Sequence, residues 1–400
     1  MKAVKGGLNA PKGFLCGAVR AGFKTKGDDL GLIYSKVPAV ADGVFTQNQV
    51  QAAPVKISKA HLKQVLMSRA VIVNSGCANC CTGPQGLKDA KRMTDLTALQ
   101  LGTKKEDVLV ASTGVIGQPL DIKKVEKALP ALVKALSGTG SSDFARSIMT
   151  TDTFAKEYAV TFTVDGKDVS IGGCAKGAGM IHPNMATMLC FLTTDIYITR
   201  RALKLALETA VNKSFNAITI DGETSTNDSV IIMANGTAGN RLIDKKDKEF
   251  KIFQQALNEV AGELAKMIVK DGEGATKFIE ITIKNAPSYW QGLKIGKRIA
   301  SSNLLKTCIY GGDPNWGRVA SSLGASGVRI DEDRFDIFLG GQQVVKNGTA
   351  LGLKKEKLKN VFKGKEVNIT VDLKMGKETA IVWTCDLTED YIKINAEYET

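Results

Sequence analysis

A chain of 400 residues is long enough to bury a large core and ordinarily divides into about two domains. Hydrophobic residues make up 44% of the chain and charged residues 24%, as in ordinary globular proteins. The net charge of +13 comes from dispersed lysines that are not interleaved with aromatic residues, which argues against nucleic-acid binding. No apolar run is long enough for a membrane span, and the N-terminal segment lacks the apolar core of a secretion signal, so we expect a cytoplasmic protein.

Eight cysteines occur in the chain, and two of them, Cys77 and Cys80, have C-x-x-C spacing with Cys81 beside them. Zinc would need further ligands, and no second C-x-x-C or C-x-x-H pair follows. A zinc site and a redox pair both remain open on spacing alone, but buried, unpaired thiols are favoured. We therefore predict no metal site.

The first half of the chain alternates short apolar runs with amphipathic stretches. Ser58 is expected to cap a helix that runs through His61, and Asp165-Gly166 is expected to form the turn of a hairpin. The patterns predict strands at 70–74, 108–111, 159–164 and 169–171, helices at 87–101, 121–136 and 143–149, a small-residue loop at 75–86, and a turn at 112–117.

The second half continues the same mixture, beginning with an apolar strand at 188–192. Thr199 is expected to cap a helix, and a long amphipathic helix is expected to carry Phe253 and Ile268 on one face. Further strands are predicted at 217–220, 230–233, 278–283, 335–339, 367–373 and 380–385, with a polar loop at 221–228. Periodicity alone supports a mixed α/β or α+β fold.

A Gly-rich, Pro-containing segment, 176–186, leads into Thr187 and then directly into the apolar strand. Glycine and proline permit tight backbone bends, so Thr187 would lie where a bent loop enters a rigid strand. That position suits a nucleophile or stored backbone strain. On local chemistry alone, an ordinary glycine turn before a core strand is the favoured interpretation.

Histidine is scarce, since the chain holds only His61 and His182. His61 is expected on the surface of its helix, and His182 alone offers little for a Ser-His-Asp arrangement. A threonine that becomes an N-terminus supplies its own base, because a free α-amino group has a pKa of about 7.7–8.0. Such chemistry at Thr187 would require cleavage of the Ala186–Thr187 bond.

Several further motifs lie along the chain in a fixed order: 74–76 (NSG), 112–117 (STGVIG), 149–153 (MTTDT), 271–277 (DGEGATK), 313–318 (DPNWGR) and 394–396 (INA). Together with the segment around Thr187, they resemble the ornithine acetyltransferase family, also called the bifunctional glutamate N-acetyltransferases of arginine biosynthesis. The motifs cover nearly the whole chain, and the ordered set is far more specific than any one motif.

The resemblance implies an α/β fold of two stacked β-sheets flanked by helices, of the self-processing N-terminal-nucleophile type (DmpA/ornithine acetyltransferase-like), with a smaller C-terminal domain. It also implies cleavage between Ala186 and Thr187. Residues 1–186 would form an α chain that carries the oxyanion hole, and residues 187–400 a β chain that begins with the nucleophile. The two chains would stay together as a heterotetramer of two α and two β chains.

The activity implied is ping-pong transfer of an acetyl group from N2-acetyl-L-ornithine to L-glutamate through acetyl-Thr187, with acetyl-CoA as a possible co-substrate and no other cofactor. The alternative is a self-processing threonine-nucleophile amidase or aminopeptidase of the same fold. By resemblance, Thr113 and Gly114 form the oxyanion hole, and substrate is bound by Thr150, Lys176, Thr187, Glu273, Asn395 and Thr400.

Overall fold

The computed structural model describes residues 1–182 and 188–397. One continuous mixed sheet carries most of the chain before residue 235. Within the described residues its nine strands are β1 (Lys2–Ala3), β2 (Phe14–Val19), β3 (Leu30–Phe45), β4 (Met67–Cys77), β5 (Val108–Val115), β6 (Lys156–Val164), β7 (Lys167–Lys176), β8 (Leu189–Thr194) and β9 (Ser229–Ala234).

The sheet folds over on itself through its longest strand, β3. The first part of β3 pairs with β2 and β4, its last part pairs with β9, and the register shifts between Tyr34 and Ala39. A shift of this kind bends a strand. Side chains from β3, β4 and β5 then share one buried apolar cluster with side chains from β7, β8 and β9. The two stacked layers expected from the resemblance are thus two halves of one sheet, and the fold class is confirmed.

Helices cover both outer faces of the folded sheet because strand side chains alternate between faces. In β8, Leu189 and Phe191 face the inner cluster, whereas Cys190 and Leu192 pack against helices. The helices of this part are α1 (Ala53–Gln64), α2 (Gly83–Leu101), α3 (Ile122–Lys134), α4 (Ser141–Ser147), α5 (Arg200–Lys213) and α6 (Lys248–Lys270). Helices α2 and α3 cover one outer face, and α5 and α6 cover the other.

Among the described residues, a second sheet of six strands forms a smaller C-terminal domain. The elements are β10 (Phe278–Ala286), α7 (Tyr289–Ala300), α8 (Asn303–Tyr310), α9 (Trp316–Gly324), β11 (Asp336–Leu339), β12 (Gln342–Lys346), β13 (Thr349–Ala350), α10 (Lys355–Leu358), β14 (Glu366–Asp372), β15 (Glu378–Cys385) and α11 (Glu389–Glu397). The strand order is β13-β12-β11-β14-β10-β15. Strand β10 pairs in parallel with β14 and antiparallel with β15.

Three local expectations were wrong, and two of them concern α1. The helix begins at Ala53, so Ser58 lies inside it and does not cap it; the Ser58 hydroxyl instead bonds the N–H and C=O of Val110 at 2.8 and 2.7 Å. His61 is buried, with Nδ1 2.8 Å from the Val108 carbonyl oxygen. Strand β5 ends the sheet order, and these side chains satisfy backbone groups that an edge strand leaves unpaired.

The predicted strand at 217–220 is also wrong. A short 3-10 turn, Phe215–Ala217, leads into a segment that touches strand β15 through a single bridge between Ile218 and Trp383. The segment is apolar and buried, but a buried apolar run does not by itself form the backbone hydrogen bonds of a β-strand. Most other predicted elements are present, with shifted ends, and the Asp165-Gly166 turn and the Thr199 cap are confirmed. Among the described residues, no helix is long and apolar enough to cross a membrane.

Candidate active site

A cavity of about 160 Å³ opens between the two sheet layers and the C-terminal helix α11. Six residues that the sequence singled out line this one cavity: Thr113, Gly114, Thr150, Lys176, Glu273 and Asn395. The remaining three, Ala186, Thr187 and Thr400, lie outside the described residues. Met188, the first described residue after that gap, also lines the cavity. Both halves of the chain therefore contribute to the wall of this cavity.

One end of the cavity is built from two threonines held by a lysine. The Lys176 ammonium, at the end of β7, donates to the hydroxyl of Thr150 at 2.8 Å and to the hydroxyl of Thr113 at 3.2 Å. Lys176 is almost fully buried, and burial lowers its pKa while the nearby carboxylate of Asp152 opposes that shift. Because the Thr113 oxygen accepts from Lys176, its own proton is available for another acceptor in the cavity.

Gly114 follows Thr113 at a point where a side chain has no room. Its φ is +131°, and a Cβ there would lie 2.3 Å from the carbonyl carbon of Gly76 on β4. The pairing of β4 with β5 slips in register at the same place. Strand β5 therefore continues past the predicted strand end at Ala111 as far as Val115, but with an irregular backbone at Thr113-Gly114. An irregular backbone of this kind can direct an N–H group out of the ladder.

A buried charge network that the sequence did not reveal holds this end together. The Asp152 carboxylate accepts from the Lys156 ammonium at 2.6 Å, the Gly177 N–H at 2.7 Å and the Thr150 N–H at 3.0 Å. Lys156 also pairs with Asp271, which caps the end of α6. Burial disfavours the Asp152 carboxylate, but Lys176 and Lys156 outweigh burial and lower the pKa of Asp152 to about 2.

The opposite end of the cavity is acidic. The Glu273 carboxylate accepts from the Asn395 side-chain amide at 2.9 Å, and Glu273 N–H donates to the Ala178 carbonyl at 2.9 Å. A Cβ on Gly179 would lie 2.3 Å from a Glu273 carboxylate oxygen. Glycine at this position therefore allows the backbone to lie directly against the Glu273 side chain. Helix α11, which carries Asn395, is fixed by the bond of 2.8 Å from the Thr388 hydroxyl to the Gly274 carbonyl.

Three more carboxylates line the cavity and come from a loop that the sequence marked only as polar: Asp221, Glu223 and Asp228. Asp221 accepts from the N–H groups of Met180 and Ile181 at 2.6 and 2.8 Å, which fixes the backbone just before residue 183. With Glu273, four carboxylates face one ammonium, that of Lys176, among the described lining residues. The cavity thus offers a cation at one end and a surplus of anions elsewhere.

His182 does not line this cavity; it faces a second one. Its Nδ1 lies 2.9 Å from the hydroxyl of Thr219. Burial, helped by the nearby charge of Lys297, lowers the pKa of His182 to about 4. The imidazole is therefore neutral at physiological pH, and a base role that depends on titration near neutrality does not fit it.

The low pKa of His182 makes stability depend on pH. An unfolded histidine takes up a proton near pH 6.5, whereas the folded one does so only near pH 4, so protons favour the unfolded state as pH falls between these values. We expect wild type to lose about 2 kcal/mol more than His182→Gln on going from pH 7 to pH 4.5. Urea unfolding of both proteins at the two pH values measures the difference, and equal losses would contradict the assignment.

The C-x-x-C cysteines lie at and just after the end of β4, where it pairs with β5. Cys77 and Cys80 are buried, Cys81 is exposed, and the sulfurs of Cys80 and Cys81 are 3.9 Å apart. Burial raises the pKa of the Cys77 thiol, which disfavours the thiolate that a metal requires. In the described ranges 1–182 and 188–397, no group of three or more His, Cys, Asp and Glu side chains is placed to hold a metal ion.

Comparison with known proteins identifies the family. The ArgJ family model matches residues 15–400. The arginine biosynthesis bifunctional protein ArgJ of Oceanobacillus iheyensis is 47% identical over 397 residues, which are 99% of this chain and 97% of that protein. The crystal structure of the protein of the same name from Bacillus halodurans is 40% identical, covers 52% of this chain and 98% of its own, and has a TM-score of 0.50. The crystal structure of ornithine acetyltransferase from Mycobacterium tuberculosis, complexed with ornithine, is 36% identical in sequence and has a TM-score of 0.41. The match covers 46% of this chain and 99% of the Mycobacterium tuberculosis chain. The expected resemblance is confirmed: the chain belongs to the ArgJ family.

Proposed function

We propose that this protein is a cytoplasmic acetyltransferase of arginine biosynthesis that moves acetyl from N2-acetyl-L-ornithine to L-glutamate through an acetyl-Thr187 enzyme. Acetyl-CoA serves as a second acetyl donor, and no metal takes part. The observation that carries the proposal is the cavity in which Thr113, Gly114 and Lys176 from one part of the chain meet Glu273 and Asn395 from another.

The charges of the cavity suit both amino acids. Each substrate carries an α-carboxylate, which pairs with the buried ammonium of Lys176. Ornithine adds a side-chain ammonium, which the carboxylate of Glu273 accepts. Glutamate adds a side-chain carboxylate, for which the amide of Asn395 is a donor beside Glu273. Glu273 as acceptor and Asn395 as donor can therefore bind two substrates whose side chains carry opposite charges.

Self-cleavage prepares the nucleophile. The Thr187 hydroxyl attacks the Ala186 carbonyl, the acyl group shifts from nitrogen to oxygen, and water hydrolyses the resulting ester. The products are the carboxylate of Ala186 and the free α-amine of Thr187, whose pKa near 8 suits a general base.

Acetyl transfer follows in two halves. The Thr187 amine takes the hydroxyl proton as the oxygen attacks the acetyl carbonyl, and the Thr113 hydroxyl and Gly114 N–H stabilise the oxyanion. The proton passes to the amine of ornithine as the C–N bond breaks. The glutamate amine then attacks acetyl-Thr187, and the hydroxyl of Thr187 is regained.

The fold supports association of the two fragments after cleavage. Strand β7 belongs to 1–186 and β8 to 187–400, and they pair antiparallel from Ile171 opposite Thr194 to Lys176 opposite Leu189. Strands β3 and β9 form a second ladder between the fragments. The solved Bacillus halodurans chain is about half as long as this one, as one cleavage product would be. We propose a heterotetramer of two α and two β chains.

Intact mass under denaturing conditions tests the proposal. Wild type should give two fragments that meet at Ala186/Thr187, and Thr187→Ala should stay uncut and inactive. Cleaved wild type should then release more than one equivalent of ornithine from N2-acetyl-L-ornithine only when an acceptor such as glutamate is present. A single uncut wild-type chain would overturn the mechanism, and release of free acetate without glutamate would favour the amidase alternative.

A further inference from the structure

A second cavity, of about 900 Å³, lies on the other side of the loop that carries Thr224. One wall is a single face of helix α7, since the residues that line it are spaced at i, i+3, i+4, i+7, i+8 and i+11. These residues are Trp290, Leu293, Lys294, Lys297, Arg298 and Ser301. A volume of this size is typical of sites for small molecules.

The charge of this cavity is entirely positive. Lys294, Lys297 and Arg298 line it, and none of the described lining residues is Asp or Glu. Lys294 donates to the Gly327 carbonyl at 3.2 Å, and within 1–182 and 188–397 the guanidinium of Arg298 has no hydrogen bond or ion pair. Burial lowers the pKa of Lys297 to about 8, and a bound anion would favour its charged form. The chemistry of the wall selects an anionic ligand.

An aromatic ring stands at the start of the same face. Trp290 is 58% exposed, and Tyr289 packs edge-on against it with ring centroids 5.5 Å apart, which leaves a face of the indole available for stacking. From Trp290 to Ser301 the helix rises about 16 Å. A planar base on Trp290 and phosphates over the three cations would match this order of groups along α7.

We propose that the α7 cavity, defined by these six residues, binds a nucleotide. Two sources share that chemistry, a free nucleoside diphosphate and the nucleotide end of a coenzyme A thioester. The second source rests on the acetyl-CoA part of the proposed function, whereas nucleotide binding itself does not.

The α7 cavity shares a wall with the acetyl-transfer cavity. Thr224 lines the α7 cavity and donates its hydroxyl to the His182 carbonyl at 3.0 Å, while its neighbours Glu223 and Ser225 line the other cavity. At the Ser301 end of the helix, the Ser301 hydroxyl lies 3.5 Å from His182 Nδ1. A nucleotide that extends along α7 from Trp290 would end beside His182.

Calorimetric titration of the full-length protein tests the proposal with ADP, coenzyme A, adenosine and inorganic phosphate. We expect ADP or coenzyme A to bind at least tenfold more tightly than adenosine or phosphate. Lys294→Glu/Arg298→Glu should weaken that binding at least tenfold, and Trp290→Ala several-fold. The matched control is Lys346→Glu/Lys377→Glu, which makes the same charge change at exposed lysines of the same domain and should leave binding within twofold.

The probes separate the two sources. Equal affinity for ADP and coenzyme A identifies a nucleotide site, and coenzyme A at least tenfold tighter than ADP identifies the thioester carrier. The proposal is overturned if neither ADP nor coenzyme A binds, or if binding is unchanged in both Lys294→Glu/Arg298→Glu and Trp290→Ala. It is also overturned if inorganic phosphate binds as tightly as ADP. Acetyl exchange from N2-acetyl-L-ornithine, assayed in the same variants, should stay within twofold of wild type, so failure of the Thr187 mechanism is detected separately.

Discussion

Replacement of Asp152 by Asn is expected to lower the apparent melting temperature of the protein by about 5–10 °C and acetyl-transfer activity by about 10- to 100-fold. The carboxylate is fully buried and lies between two ammonium groups, those of Lys156 and Lys176. Loss of its charge leaves Lys156 with Asp271 alone and weakens the field that keeps Lys176 charged. Breaking a buried pair by removing one partner costs about 3–5 kcal/mol, because the other charge stays buried.

The same change reaches the end of the cavity that holds Thr150 and Lys176. Asp152 accepts from the backbone of Thr150 and Gly177, the residues that bring the Thr150 hydroxyl and the Lys176 ammonium together. Asparagine has nearly the shape of aspartate but cannot accept on both sides, so one of the two N–H groups loses its acceptor. Activity is therefore expected to fall by more than the loss of folded protein explains.

Thermal unfolding and steady-state kinetics on the folded fraction measure the two effects. The matched control is Asp143→Asn, which removes an exposed ion pair with Arg146 and should change stability by less than about 0.5 kcal/mol. Asp152→Asn combined with Lys156→Met should regain part of the stability but not the activity, because one of the two N–H groups, that of Gly177 or that of Thr150, still lacks its acceptor. A single variant as stable and active as the control would refute the role given to this network.

Periodicity predicted the helices and strands well because it records which face of an element is buried. It identified β8 and the long helix α6 from their apolar positions, although α6 begins at Lys248, five residues before Phe253. The failures share one cause. Periodicity does not say which buried polar groups meet, so Ser58 and His61 were misassigned although both satisfy the edge of β5.

The candidate site was likewise predicted only in part. Resemblance singled out the six residues that the fold brings around one cavity, yet it did not reveal Lys156, which bonds Asp152 four residues away and Asp271 at a separation of 115 residues. A lysine four residues after an aspartate is ordinarily a solvated pair. Only the layered packing, which buries both side chains completely, turns that pair into a structural requirement.

Thr113→Val is expected to reduce the kcat of acetyl transfer by about 10²–10³, equivalent to about 2.7–4 kcal/mol, with little change in KM. Valine keeps the branched shape of threonine, so β5 should stay intact. Lys176 loses one acceptor but retains the hydroxyl of Thr150 at 2.8 Å. The substitution removes the hydroxyl proton of Thr113. Because the Thr113 oxygen accepts from Lys176, that proton points away from the ammonium and toward the oxyanion.

Self-cleavage of Ala186–Thr187 should slow in the same variant, because its tetrahedral intermediate carries the same negative oxygen. The cleaved fraction is therefore measured first by intact mass, and kcat is expressed per cleaved chain. Thr113→Ser is the matched control, since it keeps the hydroxyl and should retain kcat within about threefold. If Thr113→Val matches Thr113→Ser per cleaved chain, the Thr113 hydroxyl does not stabilise the oxyanion, and that charge must rest on the Gly114 N–H alone.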